Sequence, residues 1–271
     1  MNDLPKNNLN KTNNTSGSDQ TNVSDQTNGS NPTNGLKHIQ LPPFGRVGVG
    51  SVSVSGSVDL SSYVLSHSDP EGDYLYRLGR AANVHLLHGR MASGHLQGRL
   101  LKMLVRMIRP RNILEVGTFT GYSAICMAEG LEPGGRVYTF EINDEQEDFT
   151  RPWIENSHVA DRIEFIIGDA NREASRLGIT FDMAFIDGDK RTYIETYETV
   201  LSILRPGGFI LADNTLWDGH IVDPAYDRDP QTRGISLFND HVAADPRVER
   251  VILPLRDGLT LIRKKSKDDI I

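Results

Sequence analysis

The chain has 271 residues, with 29 Lys and Arg against 36 Asp and Glu and a net charge of −7. That length suits one α/β domain with a packed core plus an accessory segment, and the acidic balance excludes nucleic acid as the main partner, since phosphate binding needs a basic face. The single cysteine, Cys126, cannot staple the chain to itself and reads as a small buried apolar residue in a reducing compartment.

The chain opens without a basic-then-apolar pattern, and no run approaches the roughly 20 apolar residues of a membrane helix. The expectation is a soluble, cytoplasmic protein with no membrane partner. Ten of the first 35 residues are Asn, and no aromatic residue precedes Phe44. Six-residue units repeat from Ser18, Ser24 and Ser30. Residues 1–58 therefore read as a low-complexity, disordered tail with too little apolar surface to fold. Alternating Val with Gly and Ser over 47–58 would make at best a weak strand. A domain is expected over 59–265, and 266–271 is a short C-terminal tail.

From Leu60 apolar residues recur at helical spacing in places, predicting short helices as far as His88. Residues 96–108 form a clearer helix, with Leu100, Leu101, Leu104, Val105 and Ile108 on one side and Pro110 as its stop. Strands and helices then alternate. Strands are predicted at 112–116, 136–140, 162–167, 181–186 and 208–212, and helices at 122–129, 144–157, 171–176 and 192–204. Two final strands, 248–255 and 259–263, are joined by Arg256-Asp257-Gly258, a hairpin signal. The basic run Arg263-Lys264-Lys265 reads as a solvated strand end. The fold class is thus α/β, a doubly wound, mostly parallel sheet of seven strands with a C-terminal antiparallel hairpin. Ligands of such sheets bind outside the carboxyl ends of the strands.

Those ends carry two groups of residues. The first strand leads into Gly117-Thr118-Phe119-Thr120-Gly121, where the glycines permit a tight turn and close approach of backbone to ligand, at the N-terminus of a helix. Glu141, at the end of the second strand, is placed to accept both hydroxyls of a ribose. Asp169 and Ala170 follow the third strand, where they would flank an adenine. A dinucleotide fingerprint would need glycine at position 119, where this chain has Phe119; from this half alone NAD and AdoMet (S-adenosylmethionine) both remain open. The fourth strand ends in Ile186-Asp187-Gly188-Asp189-Lys190 and the fifth in Asp213-Asn214-Thr215-Leu216-Trp217. Two carboxylates and an amide oxygen are hard donors that suit Mg²⁺ or another divalent cation such as Ca²⁺ rather than Zn²⁺.

Five segments carry a resemblance: Met91-Ala92-Ser93-Gly94-His95-Leu96-Gln97-Gly98, the run from Leu114 to Ser123, Phe185-Ile186-Asp187-Gly188-Asp189-Lys190, Asp213-Asn214-Thr215-Leu216-Trp217 and Asp257-Gly258-Leu259-Thr260-Leu261. From about Leu60 to Lys264 the chain resembles the cation-dependent O-methyltransferases, the family of catechol and caffeoyl-CoA O-methyltransferases. The resemblance implies a Rossmann-like AdoMet methyltransferase fold and transfer of a methyl group to a hydroxyl of a small aromatic acceptor. It implies that Asp187, Asp213 and Asn214 bind the cation and that Lys190 is the general base. Glu141 would hold the ribose and Glu115 the methionine amino group. Gly117, Phe119, Ser123, Asp169, Ala170 and Asp187 would shape the AdoMet pocket, with Met91 closing over it. A base must be neutral, and a nearby cation together with burial would push the Lys190 pKa down. Homodimers are common in the family. The competing readings are an NAD-dependent oxidoreductase, a non-catalytic AdoMet-binding protein and a metal-independent methyltransferase.

Overall fold

A computed structural model describes residues 59–269; the tail reading for 1–58, including the weak strand over 47–58, lies outside the described residues. Seven strands form one sheet: β1 (Asn112–Val116), β2 (Arg136–Glu141), β3 (Ile163–Ile167), β4 (Phe181–Ile186), β5 (Leu204–Asp213), β6 (Val248–Leu253) and β7 (Leu259–Lys264). Their spatial order is β3-β2-β1-β4-β5-β7-β6. The first five are parallel, and β7 runs antiparallel to both β5 and β6. The expected fold class is the observed one. β5 begins earlier than its apolar run suggests, at Leu204, with a register shift against β4 near its start.

The described residues form eight helices: α1 (Leu60–Ser66), α2 (Asp73–His85), α3 (Gly94–Ile108), α4 (Tyr122–Gly130), α5 (Glu147–Glu155), α6 (Ala170–Glu173), α7 (Tyr193–Ile203) and α8 (Pro230–Ala244). None is long and apolar enough to cross a membrane. The period-2 alternation of the strands divides the core in two. Ile113, Val137, Met183 and Leu211 pack with Leu78 of α2, Leu101 of α3, the apolar α4 and Ile154 of α5. The opposite face of the strands, Leu114, Phe140, Ala184 and Ile210, packs with Tyr197 and Val200 of α7 and Phe238 of α8.

The sequence reading missed α8. Its signals were present: Asp229 caps it, accepting the Thr232 N–H at 2.7 Å, and Pro230 stands at its first position. Ile235, Phe238 and Val242 then recur on its buried side. The basic run is also not a free solvated end. Lys264 donates to the Leu201 and Leu204 carbonyls at 2.7 Å each, and Arg263 pairs with Glu249 and Asp269. A lysine stem can cross an apolar edge while its ammonium finds carbonyls at a helix end.

Parallel pairing aligns the strand ends. Val116 pairs with Phe140 and Ile186, and Ile186 with Ala212. Strand order reverses between β1 and β4, which places the crevice of a doubly wound sheet there. The antiparallel β7 starts opposite Asp213 (Asp213 pairs with Leu259), so the turn before it comes to the same edge.

Candidate functional site

Gly117 follows β1 with φ +98°, and a Cβ there would lie 2.3 Å from the Asp187 carbonyl oxygen. Its glycine is required by the close approach of two strand ends within the protein, where the sequence suggested approach to a ligand. Gly121, at φ +81°, likewise faces Ile154 of α5. Between them Phe119 sits at φ +46°, a left-handed conformation at the position where a dinucleotide fingerprint has glycine. Its backbone is clamped from both sides. Glu141 Oε2 accepts the Phe119 N–H at 2.8 Å, and the Thr150 hydroxyl donates to the Phe119 carbonyl. Glu141 Oε1 accepts the Asn143 N–H at 3.0 Å. Both carboxylate oxygens therefore already hold the surrounding loops, with one lone pair each left for a ligand.

Glu115 is fully buried in β1. Thr139 donates to its Oε2 at 2.5 Å, and its Oε1 has no partner. Burial pushes its pKa up to about 8, against the Thr139 hydroxyl that favours the charged form. An unpartnered buried acceptor is costly, and this one suits an ammonium group, so the donor set fits the amino end of AdoMet. Ser123 is buried on the first turn of α4. Asp169 caps α6 by accepting the Asn171 N–H at 3.0 Å, and Ala170 is buried behind it. Met91 is exposed at the end of the turn Gly89–Met91.

The acidic half comes from β4 and β5. Asp187 follows β4 and accepts from Lys190 Nζ at 2.9 Å. Lys190 is buried, and its Nζ also donates to the Tyr193 hydroxyl at 2.7 Å, which in turn donates to the Asp213 carbonyl at 2.9 Å. The expected depression of the Lys190 pKa belongs to a site with a cation beside it; the ion-free arrangement differs. Burial does press it down, but the Asp187 carboxylate and the Tyr193 contact outweigh that, and the ammonium is held above its usual range. Asp213 is buried and pushed up to about 6, first by burial and then by the negative charge of Asp187. Asn214, at φ +58°, donates through Nδ2 to Asp257 Oδ2 at 3.3 Å, which turns its amide oxygen away from that carboxylate. The Asp213 carboxyl, raised by burial and by its Asp187 neighbour, forms with Asp187 and the amide oxygen of Asn214 a hard-oxygen set that fits a divalent cation.

Asp189, by contrast, faces solvent, caps the turn Lys190–Thr192 and pairs with Arg191. The group Glu198, His241 and Asp245 has metal-like spacing. However, Arg247 donates to Glu198 and Asp245 and already supplies its positive charge.

Several participants were missed by sequence reasoning. Tyr193 stands three residues after Lys190 and could have been found from that spacing. Gln97, Arg256 and Asp257 could not, because their partners lie over 40 residues away. α8 also braces Lys190. Gln231 accepts the Lys190 N–H at 3.1 Å, and a Cβ on Gly234 would lie 2.3 Å from the Lys190 carbonyl oxygen. Beyond it, the Trp217 ring lies 6.0 Å from Lys190 Nζ, and His220 stacks on Tyr226 at 3.6 Å.

Comparison with known proteins places this geometry in a family. A family model described as O-methyltransferase matches residues 65–265. The caffeoyl-CoA O-methyltransferase of Petroselinum crispum is 35% identical over 235 residues, covering 80% of this chain and 95% of the relative. Among solved structures, the O-methyltransferase from Bacillus cereus in complex with SAH is 33% identical with a TM-score of 0.70, covering 75% of this chain and 96% of that one. The O-methyltransferase TomG from Streptomyces achromogenes, in complex with SAM, is 29% identical with a TM-score of 0.68 and coverage of 75% and 95%.

Proposed function

The chain belongs to the O-methyltransferase family and is an AdoMet-dependent enzyme; from that premise we propose that it methylates a hydroxyl of a small catechol-like or caffeoyl-type acceptor with the help of a divalent cation, Mg²⁺ by preference. The observation that carries the reading is the meeting of Asp187, Lys190, Asp213 and Asn214 at the ends of β4 and β5, beside the β1 turn and the unpartnered Glu115 oxygen.

Asp187, Asp213 and Asn214 would hold the cation. Bound there, it supplies Lewis-acid stabilisation of a phenolate, whose parent phenol has a pKa of about 10 and is a poor nucleophile at neutral pH. Glu141 would meet the ribose with its remaining lone pairs, and Glu115 the amino group. Phe119, Ser123, Asp169 and Ala170 would wall the nucleoside, with Met91 at the entry. Asp187 would serve both ligands, since it lies between the two halves of the site.

Lys190 would take the acceptor proton at Nζ. In the ion-free arrangement the Asp187 carboxylate and the Tyr193 hydroxyl keep that proton on; with Asp187 engaged by a cation, burial and the cation's charge would act against Tyr193 and favour the neutral form. Holding acceptor and donor in line is worth roughly 7–11 kcal/mol of the barrier. Trp217, His220 and Tyr226 give the acceptor an aromatic wall.

The test is a panel of vicinal diols (catechol, caffeate and a caffeoyl thioester) incubated with AdoMet and Mg²⁺ and read by mass for methylated product. At least one diol should gain a methyl group, and EDTA should stop the transfer. Transfer that survives EDTA removes the cation from the mechanism, and no methylation of any diol overturns the acceptor class.

A further inference from the structure

Gln97 lies in the first turns of α3 and is 1% exposed, yet its amide is used at both ends. Nε2 donates to Asp213 Oδ2 at 2.7 Å, and Oε1 accepts from Arg256 Nη1 at 2.8 Å. The same guanidinium nitrogen donates to the carbonyls of Ser93 and Ala92. Arg256 itself sits at φ +49° in the turn between β6 and β7. Three segments far apart in sequence are thus tied to one carboxylate.

A buried amide needs partners wherever it lies, so the contacts alone would be compatible with mere satisfaction. Two features go further. First, the two oxygens of Asp213 are treated alike: Oδ1 accepts the Asn214 N–H at 2.9 Å and Oδ2 accepts Gln97. The carboxylate cannot rotate without losing both bonds, and each oxygen keeps one lone pair. Second, arginine has only donors. Arg256 therefore obliges Gln97 to face it with oxygen and to present its NH₂ to Asp213. Without Arg256 the amide could turn over and set oxygen against oxygen.

We infer that Arg256 and Gln97 form a positioning relay that fixes the plane of the Asp213 carboxylate for cation binding, with Arg256 setting the amide orientation and Gln97 holding the ligand. The inference rests on the reading of Asp213 as a cation ligand.

The test uses the full chain with AdoMet present and Mn²⁺ as the probe, its free concentration followed by electron paramagnetic resonance. Partners of this kind typically change metal affinity 10–100-fold. Gln97→Met should weaken Mn²⁺ binding by about that factor, and Arg256→Met should act in the same direction by less, while AdoMet affinity by calorimetry stays within about twofold. The double variant should be no worse than Gln97→Met, as expected for one connected unit, and Arg256→Lys, which keeps a donor, should recover most of the loss. If Gln97→Met does not fold, the exposed Arg256 variants decide the question. Wild-type Mn²⁺ affinity in the folded variants, additive losses, or a loss of AdoMet binding in place of Mn²⁺ binding would overturn the relay alone. A wild-type protein that binds no Mn²⁺ would overturn the cation reading and the relay with it.

Discussion

Lys190 shows how one partner decides a charge. Burial acts against its ammonium and Asp187 acts for it, and Asp187 prevails. The Lys190 side chain bonds Asp187 and Tyr193 and makes no hydrogen bond to Glu115, Phe119 or Glu141, residues proposed to hold AdoMet. Lys190→Ala should therefore keep AdoMet affinity, measured by calorimetry, and lose about 10²–10⁴-fold in turnover, the usual worth of a general base; unchanged turnover would remove Lys190 from the chemistry. Glu115 makes the opposite case, a carboxyl raised to about 8 by burial. A folded-state pKa above the unfolded value of about 4.5 gives stability that is complete below pH ~4.5 and lost as pH rises through ~8. Urea melts of the ligand-free protein should show wild type losing a few kcal/mol relative to Glu115→Gln between pH 5 and 8.5. Parallel pH profiles for the two would exclude Glu115 as the source.

At the scale of elements, the contact of α3 with α4 depends on a missing side chain. A Cβ on Gly98 would lie 2.7 Å from Cys126 Sγ and 2.7 Å from the Tyr122 ring. Alanine would gain up to ~1 kcal/mol of helix propensity over glycine, but forcing a methyl into a filled core costs ~1–3 kcal/mol. The second effect should win. Gly98→Ala should lower the thermal midpoint by a few degrees, and adding Cys126→Ala should return part of it by opening space. A midpoint at or above wild type in Gly98→Ala would show that the helices can move apart freely. The C-terminal hairpin illustrates a different effect. Its turn was legible from Arg256-Asp257-Gly258, but a turn signal does not say which edge of the sheet it reaches. Antiparallel pairing of β7 with β5 decides that, bringing Arg256 to Gln97 and Asp257 to Asn214. Gly258, at φ +91°, completes the fit, since a Cβ there would meet Leu216 Cγ at 2.5 Å.

Over the whole molecule, a parallel sheet buried on both faces brings five strand ends to one level, and helix packing on either side leaves that edge for ligands. Much of this was readable from short-range pattern. The strand-helix alternation, the glycine turn after β1, the carboxylates ending β2, β4 and β5 and the final hairpin are properties of neighbouring residues, whose spacing is set by strand and helix periods. What the sequence alone determined, then, was the fold class and the residue types delivered to the strand ends. The tertiary structure decided the rest: that Gly117 is glycine because Asp187 passes 2.3 Å from its absent Cβ, that Lys190 is held charged by Asp187 and braced by α8, and that Gln97, Arg256 and Asp257 support the acidic site. The physical reason is the range of the interactions. Gln97 and Asp213 stand 116 residues apart in the chain and 2.7 Å apart in space, and only strand order and register convert the first separation into the second.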